Sequence, residues 1–436
     1  MADLGMRKRR VVIALGIYLV VTVVVLATMS RDRLRSYSPY NHYALQADAW
    51  LHGRLDLGGP PPAYTGNNDF ALHEGKHYVS FGPVPAVIIM PVVALAGQVE
   101  RVRDAQVFAW LAGIGPALLF LVFERLRRSG RSGRQPWHSV ALALLFALGT
   151  VYWFTAVQGT VWFAGHVVGV ALCCGYLLCS LEARHPALAG LLLALAFATR
   201  PSLGFAVPFF LFELFRAAQT KGNPERPLGE IGGACWATLL RRGARFAVPA
   251  VAVLVVVMVH NHLRFGDPTE FGHRFLTVAW RKRIDTWGLF SFHYLGRNLS
   301  VLLTGLPFFS PDRGLQINGH GLALWLTSPF YVWALWPARV GARYWAAALA
   351  AICVALPNLL YQNSGWVQFG YRFSNDFAPF LFVMIVLSGR KLSPPFWLLG
   401  AVAMVVNGFG AVTFDRAEHR HFYFIDRTQR IVHQPD

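Results

Sequence analysis

The sequence predicts an all-α polytopic membrane protein: about eleven transmembrane helices, with re-entrant or interfacial helices added in the outer loops. Three observations predict it. Hydrophobic residues make up 55% of the 436, and charged residues only 14%. Apolar runs approaching the length needed to cross a bilayer recur along nearly the whole chain. The strings of short alternating segments that a membrane barrel needs are absent. The formal charge of +18 is accounted for by membrane insertion, which enriches Lys and Arg in inner loops. No zinc-finger spacing, tandem basic helix or soluble domain offers a platform for nucleic acid, so that partner class is excluded. The five cysteines show no CxxC spacing, which argues against a zinc site or a disulfide framework.

The elements follow in order. Arg7 to Arg10 precede the first apolar run, 11–29, which lacks a small-residue cleavage site and reads as a retained helix with a cytoplasmic N-terminus. Further spans are expected at 105–123, 139–157, 161–180, 186–199, 202–216, 245–260, 320–336, 343–360, 376–389 and 394–412. Two apolar segments, 83–98 and 291–309, fit this scheme poorly. If 83–98 crossed, the basic run ERLRRSGRSGR at 124–134 would land outside. The segment also holds Pro83, Pro85 and Pro91, and reads as a re-entrant or interface-lying helix. This scheme puts half of the 40 basic residues, but fewer than a third of the 22 acidic ones, on the inner side, and the C-terminus outside. The chain is then one integral membrane domain, 1–436. Its outer parts are a first loop at 30–104, a second region at 261–319 and a tail at 413–436. No internal repeat or P-loop is present.

The polar residues concentrate on the outer side. In YNHYALQADAWLHGRLDL (40–57), helical spacing puts Asn41, Leu45, Asp48 and His52 on one face of a short surface helix. Asp48 is the first candidate base, with Asp69 as second and Asp56 nearby. The letters His73-Glu74-Gly75-Lys76-His77 match H-E-x-x-H, but that motif works on a helix. Gly75 and the following HYVSF favour a turn between two strands, so no zinc site is expected. A divalent metal is left open, with no ligand set that singles one out. Loop 261–290 carries Arg264, Asp267, Glu270, His273 and Arg274. The late loop YQNSGWVQFGYRFSNDFAPF carries Arg372, Asn375 and Asp376. Rings that stack on sugars, carboxylates that take a proton and arginines that clamp phosphate suit a sugar-bearing lipid. Arg200, in ATRPS, reads as a helix end near the interface, with a headgroup contact as the alternative. Trp162, His166 and their neighbours fit either an aromatic belt or a sugar pocket.

The stretches YNHYALQADAWLHGRLDL, HYVSFGPVPAVIIMP, VYWFTAVQGTVWFAGH, LAFATRPS, HLRFGDPTEFG and GWVQFGYRFSNDFAPF, taken in order, resemble the GT-C superfamily of membrane glycosyltransferases, close to the protein O-mannosyltransferase and aminoarabinose-transferase group. The resemblance implies an enzyme of the bacterial plasma membrane with an outward-facing active site. Its donor would be a polyprenyl-phosphate sugar, and its acceptor an envelope glycan, lipid or protein among the membrane lipids. It also implies an inverting reaction. Asp48 takes the acceptor proton, with Asp69 in reserve. Arg264, Arg274, Arg372, Lys76 and Arg101 are candidates for the donor phosphate. Asn41, His42, Tyr43, Asp56, His77 and Asp376 are candidates for the sugar or acceptor. The family's acidic pair at the start of the first loop is replaced here by Asn41-His42. A flippase for lipid-linked glycans or a non-catalytic envelope-assembly protein is the alternative, and lipid movement without bond cleavage would mark the former.

Overall fold

A computed structural model of the chain describes residues 2–219, 235–278 and 280–424. Among the described residues, seven helices are long and apolar enough to cross a membrane: Gly5–Thr28, Asp104–Arg128, Val161–Ala183, Pro201–Ala218, Trp236–Phe265, Ala342–Leu360 and Pro394–Thr413. Each coincides with an expected span. Three more expected spans form shorter apolar helices, Pro136–Leu148, Pro186–Thr199 and Ala378–Leu387. The chain is a multi-pass membrane protein. Its outermost long helix, Trp236–Phe265, has only 11% of its apolar window buried. Its free flank is Val248, Val255, Val256 and Val259, side chains suited to lipid. This helix touches the rest through Gly190 of the helix Pro186–Thr199, where an added Cβ would stand 1.9 Å from the Phe246 carbonyl oxygen. Only a residue without a side chain permits two helix backbones to approach so closely.

Two expected features differ in detail. Residues 320–336 do not form one helix. They break into Leu324–Thr327, a 3-10 turn at Pro329–Tyr331 and Val332–Leu335. Pro329 cannot continue a helical ladder, and Leu322 bridges to Gly370 instead. The loops also carry two small sheets. Phe70–His73 pairs antiparallel with Lys76–Val79. Phe308–Ser310 pairs antiparallel with Gly314–Asn318, which pairs in parallel with Tyr423–Phe424. The tail from 413 is therefore docked as far as Phe424, and the rest of it, 425–436, lies outside the described residues.

The segment 83–98 folds as the helix Val84–Ala96, 13 residues long. At 1.5 Å per residue it spans about 20 Å, as short of the ~30 Å hydrocarbon core as the 13-residue helix Pro136–Leu148. It packs on the helix His42–Leu51, burying Ala44 and Ala47 against Ala86, Ile89 and Val93. Gly82 sets its entry: a Cβ there would stand 2.3 Å from the Ala198 carbonyl oxygen. The loop before this helix is thereby pressed against the end of the helix Pro186–Thr199.

The opposite end of the bundle is closed by a buried ion pair. Both carboxylate oxygens of Glu213 accept from Arg343, and Oε2 also accepts from the Glu182 backbone N–H at 2.7 Å. Both side chains are less than a tenth exposed. Removing one member strands the other charge, so Glu213→Gln is expected to cost about 3–5 kcal/mol. Unfolding of the two proteins compared in the same nanodisc checks it; equal stability would mean that water screens the pair.

Candidate active site

A cavity of about 1800 Å³ opens between the loop 40–82, the ends of several helices, and the segments 269–290, 356–373 and 414–423. One wall flanks the hairpin Phe70–Val79: Asn68, Asp69, Ser80, Phe81 and Gly82 line it, and the hairpin itself does not. Its register pairs His73 with Lys76, leaving Glu74 and Gly75 at φ 48° and 74° as the two-residue turn. Such positive φ values at both positions are the geometry that closes a tight hairpin. The H-E-x-x-H letters therefore lie on a strand turn and not on a helix, as expected. Among the described residues, no three His, Cys, Asp or Glu side chains cluster as metal ligands.

Just before the hairpin, Asp69 takes a left-handed backbone, φ 62°. Its Oδ2 accepts from Trp162 Nε1 at 2.7 Å. Among the described residues Oδ1 has no partner, and Asp69 lines the cavity. Burial pushes this carboxyl above its usual range, against the opposing pull of the Trp162 hydrogen bond and the Arg372 charge. A carboxylate so placed is a stronger base than one in water.

The opposite wall is the 3-10 turn Arg372–Asp376. Asp376 Oδ1 accepts from Arg200 Nε at 2.7 Å and lies 3.1 Å from His166 Nδ1. Its Oδ2 accepts from Arg200 Nη2 and Ser202 Oγ, each at 2.8 Å, and from Asn358 Nδ2 at 3.0 Å. Burial raises this carboxyl, but Arg200 and His166 outweigh it and hold it well below the usual carboxylate range. Asp376→Asn would leave the Arg200 cation unmatched. It is expected to cost about 3–5 kcal/mol, read as a lower unfolding temperature; an unchanged one would mean that Arg200 is solvated without it.

Arg372 is the reverse case. It is buried, and Nη1 donates to the Gly365 and Val367 carbonyl oxygens. No described carboxylate lies within ion-pair distance of it. Its guanidinium lies 5.0 Å from the Phe163 ring centroid and 5.4 Å from that of Phe373, contacts that stabilise a cation only partly. Burial, and then repulsion from Arg200, lower its pKa to about 9. The cavity thus holds an open carboxylate oxygen and a guanidinium without a counterion.

No protein-family model matches the chain, and no curated protein does. Solved structures do. The oligosaccharyltransferase of Archaeoglobus fulgidus in its apo form superposes with a TM-score of 0.52 at 13% identity, over 92% of this chain. The archaeal oligosaccharyltransferase AglB from the same organism, in complex with an inhibitory peptide and a dolichol-phosphate, gives 0.51 at 10% identity over 92%. The chain has the GT-C fold. It covers 56% of the archaeal protein in each comparison.

Within the GT-C fold the candidate residues divide. Tyr43, Asp69, Arg274 and Arg372 line the cavity, and Asp376 stands behind its wall with both oxygens engaged. Asp376 therefore has no open acceptor for a sugar hydroxyl; it holds Arg200 in place. Asp48 does not line the cavity: its carboxylate is 28% exposed and lies 3.6 Å from His52. Asn41 exchanges hydrogen bonds with the Tyr64 hydroxyl at 3.2 and 3.3 Å. His42 is buried, stacked on Phe70, with Nε2 2.8 Å from the Asn68 carbonyl oxygen. Burial lowers its pKa to about 4, so it is neutral. Asp56 accepts from the Gly58 N–H at 2.7 Å in a local turn. Lys76 and His77 lie on the hairpin, and Arg101 is exposed on a 3-10 turn; none of the three lines the cavity. Arg264 is buried outside it, donating to the Val79 carbonyl oxygen and to Asn261 Oδ1. Reasoning from sequence passed over Ser202 and Asn358, which no motif marks, and gave Arg200 chiefly the role of a helix end.

Proposed function

We propose that this chain transfers a sugar from a polyprenyl-phosphate-linked donor to a hydroxyl of an envelope acceptor, on the outer face of a bacterial plasma membrane, with inversion. Arg372 carries the reading. A buried guanidinium with no carboxylate partner calls for an anion, and Asp69 in the same cavity supplies a base. The archaeal AglB structure of the same fold was solved with a dolichol-phosphate, which agrees with a lipid phosphate in this cavity. The charge asymmetry of the loops supports a cytoplasmic N-terminus and an outward cavity.

In this reading the acceptor hydroxyl gives its proton to Asp69 Oδ1. Its oxygen forms the new bond to the anomeric carbon, on the face opposite the phosphate. The bond from that carbon to the phosphate oxygen breaks, and the electron pair leaves with polyprenyl phosphate. The phosphate passes from a singly charged diester to a more highly charged monoester. Arg372, with Arg200 beside it, stabilises the charge that appears at that moment. Asp69 takes the role first assigned to Asp48, because Asp69 lines the cavity and Asp48 does not.

The test is turnover of a panel of polyprenyl-phosphate sugars by the purified full chain in nanodiscs. Mass spectrometry would follow free polyprenyl phosphate and glycosylated product. Release of the lipid phosphate with sugar on the acceptor is the expected result. Movement of intact donor between leaflets without cleavage would overturn it in favour of a flippase.

A further inference from the structure

Six arginines line the cavity: Arg200, Arg274, Arg281, Arg372, Arg416 and Arg420. Three are matched locally. Arg200 is held by Asp376, Arg274 Nε lies 3.4 Å from Glu270 Oε2, and Arg281 Nε lies 2.8 Å from Asp285 Oδ1. Another wall carboxylate, Asp415, is taken by Arg33 at 2.7 Å. Among the described residues Arg372, Arg416 and Arg420 have no carboxylate within ion-pair distance. The donor phosphate answers Arg372. It does not answer the other two, which stand on a separate wall.

That wall is held in place. The Tyr423 hydroxyl lies 2.7 Å from Thr413 Oγ1, and Tyr423–Phe424 pairs with the strand Gly314–Asn318. Arg416 Nη2 donates to the carbonyl oxygens of Thr28 and Ala411, which fixes the guanidinium without neutralising it. Arg420 is exposed and makes no hydrogen bond within the described residues. The wall lines the same cavity as Asp69 and Arg372, and ring contacts link the two sides. Arg372 stands 5.0 Å from the Phe163 ring, and Phe163 stands 6.2 Å from the Phe414 ring, two residues before Arg416.

We propose that the second substrate is anionic: a phosphate or carboxylate on the acceptor is held by Arg416 and Arg420 while its hydroxyl reaches Asp69. The inference rests on the glycosyl-transfer reading above and names its acceptor class. Two unmatched guanidiniums beside an apolar wall favour an anion with a sugar or alkyl body over a neutral glycan.

The test uses the full chain in phosphatidylcholine nanodiscs. Isothermal titration would compare octyl glucuronide with neutral octyl glucoside, with the donor site filled by polyprenyl phosphate, and polyprenyl phosphate would also be titrated separately. The glucuronide is expected to bind at least tenfold more tightly than the glucoside. Arg420→Gln removes no hydrogen bond or ion pair seen in the chain and should weaken that preference severalfold. The Arg416→Gln/Arg420→Gln double variant should abolish it, with polyprenyl phosphate affinity unchanged. Equal binding of glucuronide and glucoside would overturn the proposal, as would a preference that survives the double variant. So would loss of the preference when phosphatidylglycerol is added to the nanodisc, since the arginines would then serve the membrane headgroups. Failure of wild-type protein to bind polyprenyl phosphate has a separate signature: it would overturn the donor reading, and the acceptor inference with it.

Discussion

Asp69→Asn is expected to lower kcat for sugar transfer by about 10²–10⁴-fold, the usual contribution of a positioned general base. The amide keeps the shape and an acceptor for the Trp162 N–H but cannot take a proton at neutral pH. Donor binding should persist, because Arg372 is untouched. Asp48→Asn, run beside it, should retain turnover. The pH profile gives an independent reading. A base must be ionised to act, and burial raises the Asp69 carboxyl, so activity should fall with acid at a higher pH than an ordinary carboxylate would give. The same shift has a consequence for stability. A carboxyl raised in the folded state favours folding while protonated; that contribution is full below its unfolded value and is lost as pH rises through the folded one. At neutral pH the ionised side chain is a burden, and Asp69→Asn should unfold at the same temperature or higher. A folded Asp69→Asn protein that binds donor and turns over at the wild-type rate would remove Asp69 from the mechanism.

Arg372→Gln should reduce kcat by about 10²–10³-fold, the effect typical of removing one donor to a developing oxyanion. It should also weaken polyprenyl phosphate binding in the absence of any acceptor. The two variants then separate: loss of Asp69 leaves donor affinity, and loss of Arg372 does not. Arg372→Lys keeps the charge but not the planar fork that also reaches the Gly365 and Val367 carbonyl oxygens, so it should recover only part of the binding. Arg264 is the natural contrast, being equally buried but outside the cavity. Arg264→Gln should leave phosphate affinity alone; if it removed binding while Arg372→Gln did not, the phosphate would belong on the other side of the first outer loop.

Hydropathy made most of the helical frame legible, because a span advertises itself by length and apolar content. Charge and prolines set 83–98 apart from the other spans in sequence, and it forms a helix of 13 residues. The break at 320–336 was harder to read. Its residues are apolar enough for a helix, and the competing backbone partner, Gly370, lies far along the chain. The cavity was partly legible for the same reason. Arg372, Asp69 and Tyr43 stood out as polar or aromatic residues in outer loops. Pairing between distant loops did not show: nothing near Asp376 in sequence announces that Arg200, His166, Ser202 and Asn358 will occupy its oxygens. Asp48 drew attention by lying on the polar side of a short helix, yet that side turns towards His52 and away from the cavity.

The Arg200–Asp376 pair joins residues 176 positions apart, and synthesis makes that separation a delay. When the helix Pro186–Thr199 enters the bilayer, its terminal arginine has no counterion, and the four later long spans and the turn at 372–376 have not all been made. Until then its long side chain must keep the charge at headgroup level. The partner arrives only after a further 176 residues have been translated. Nascent chains halted before Asp376 therefore carry an unmatched cation at a helix end. The same contact that fixes one wall of the cavity is among the last checks that the bundle has assembled.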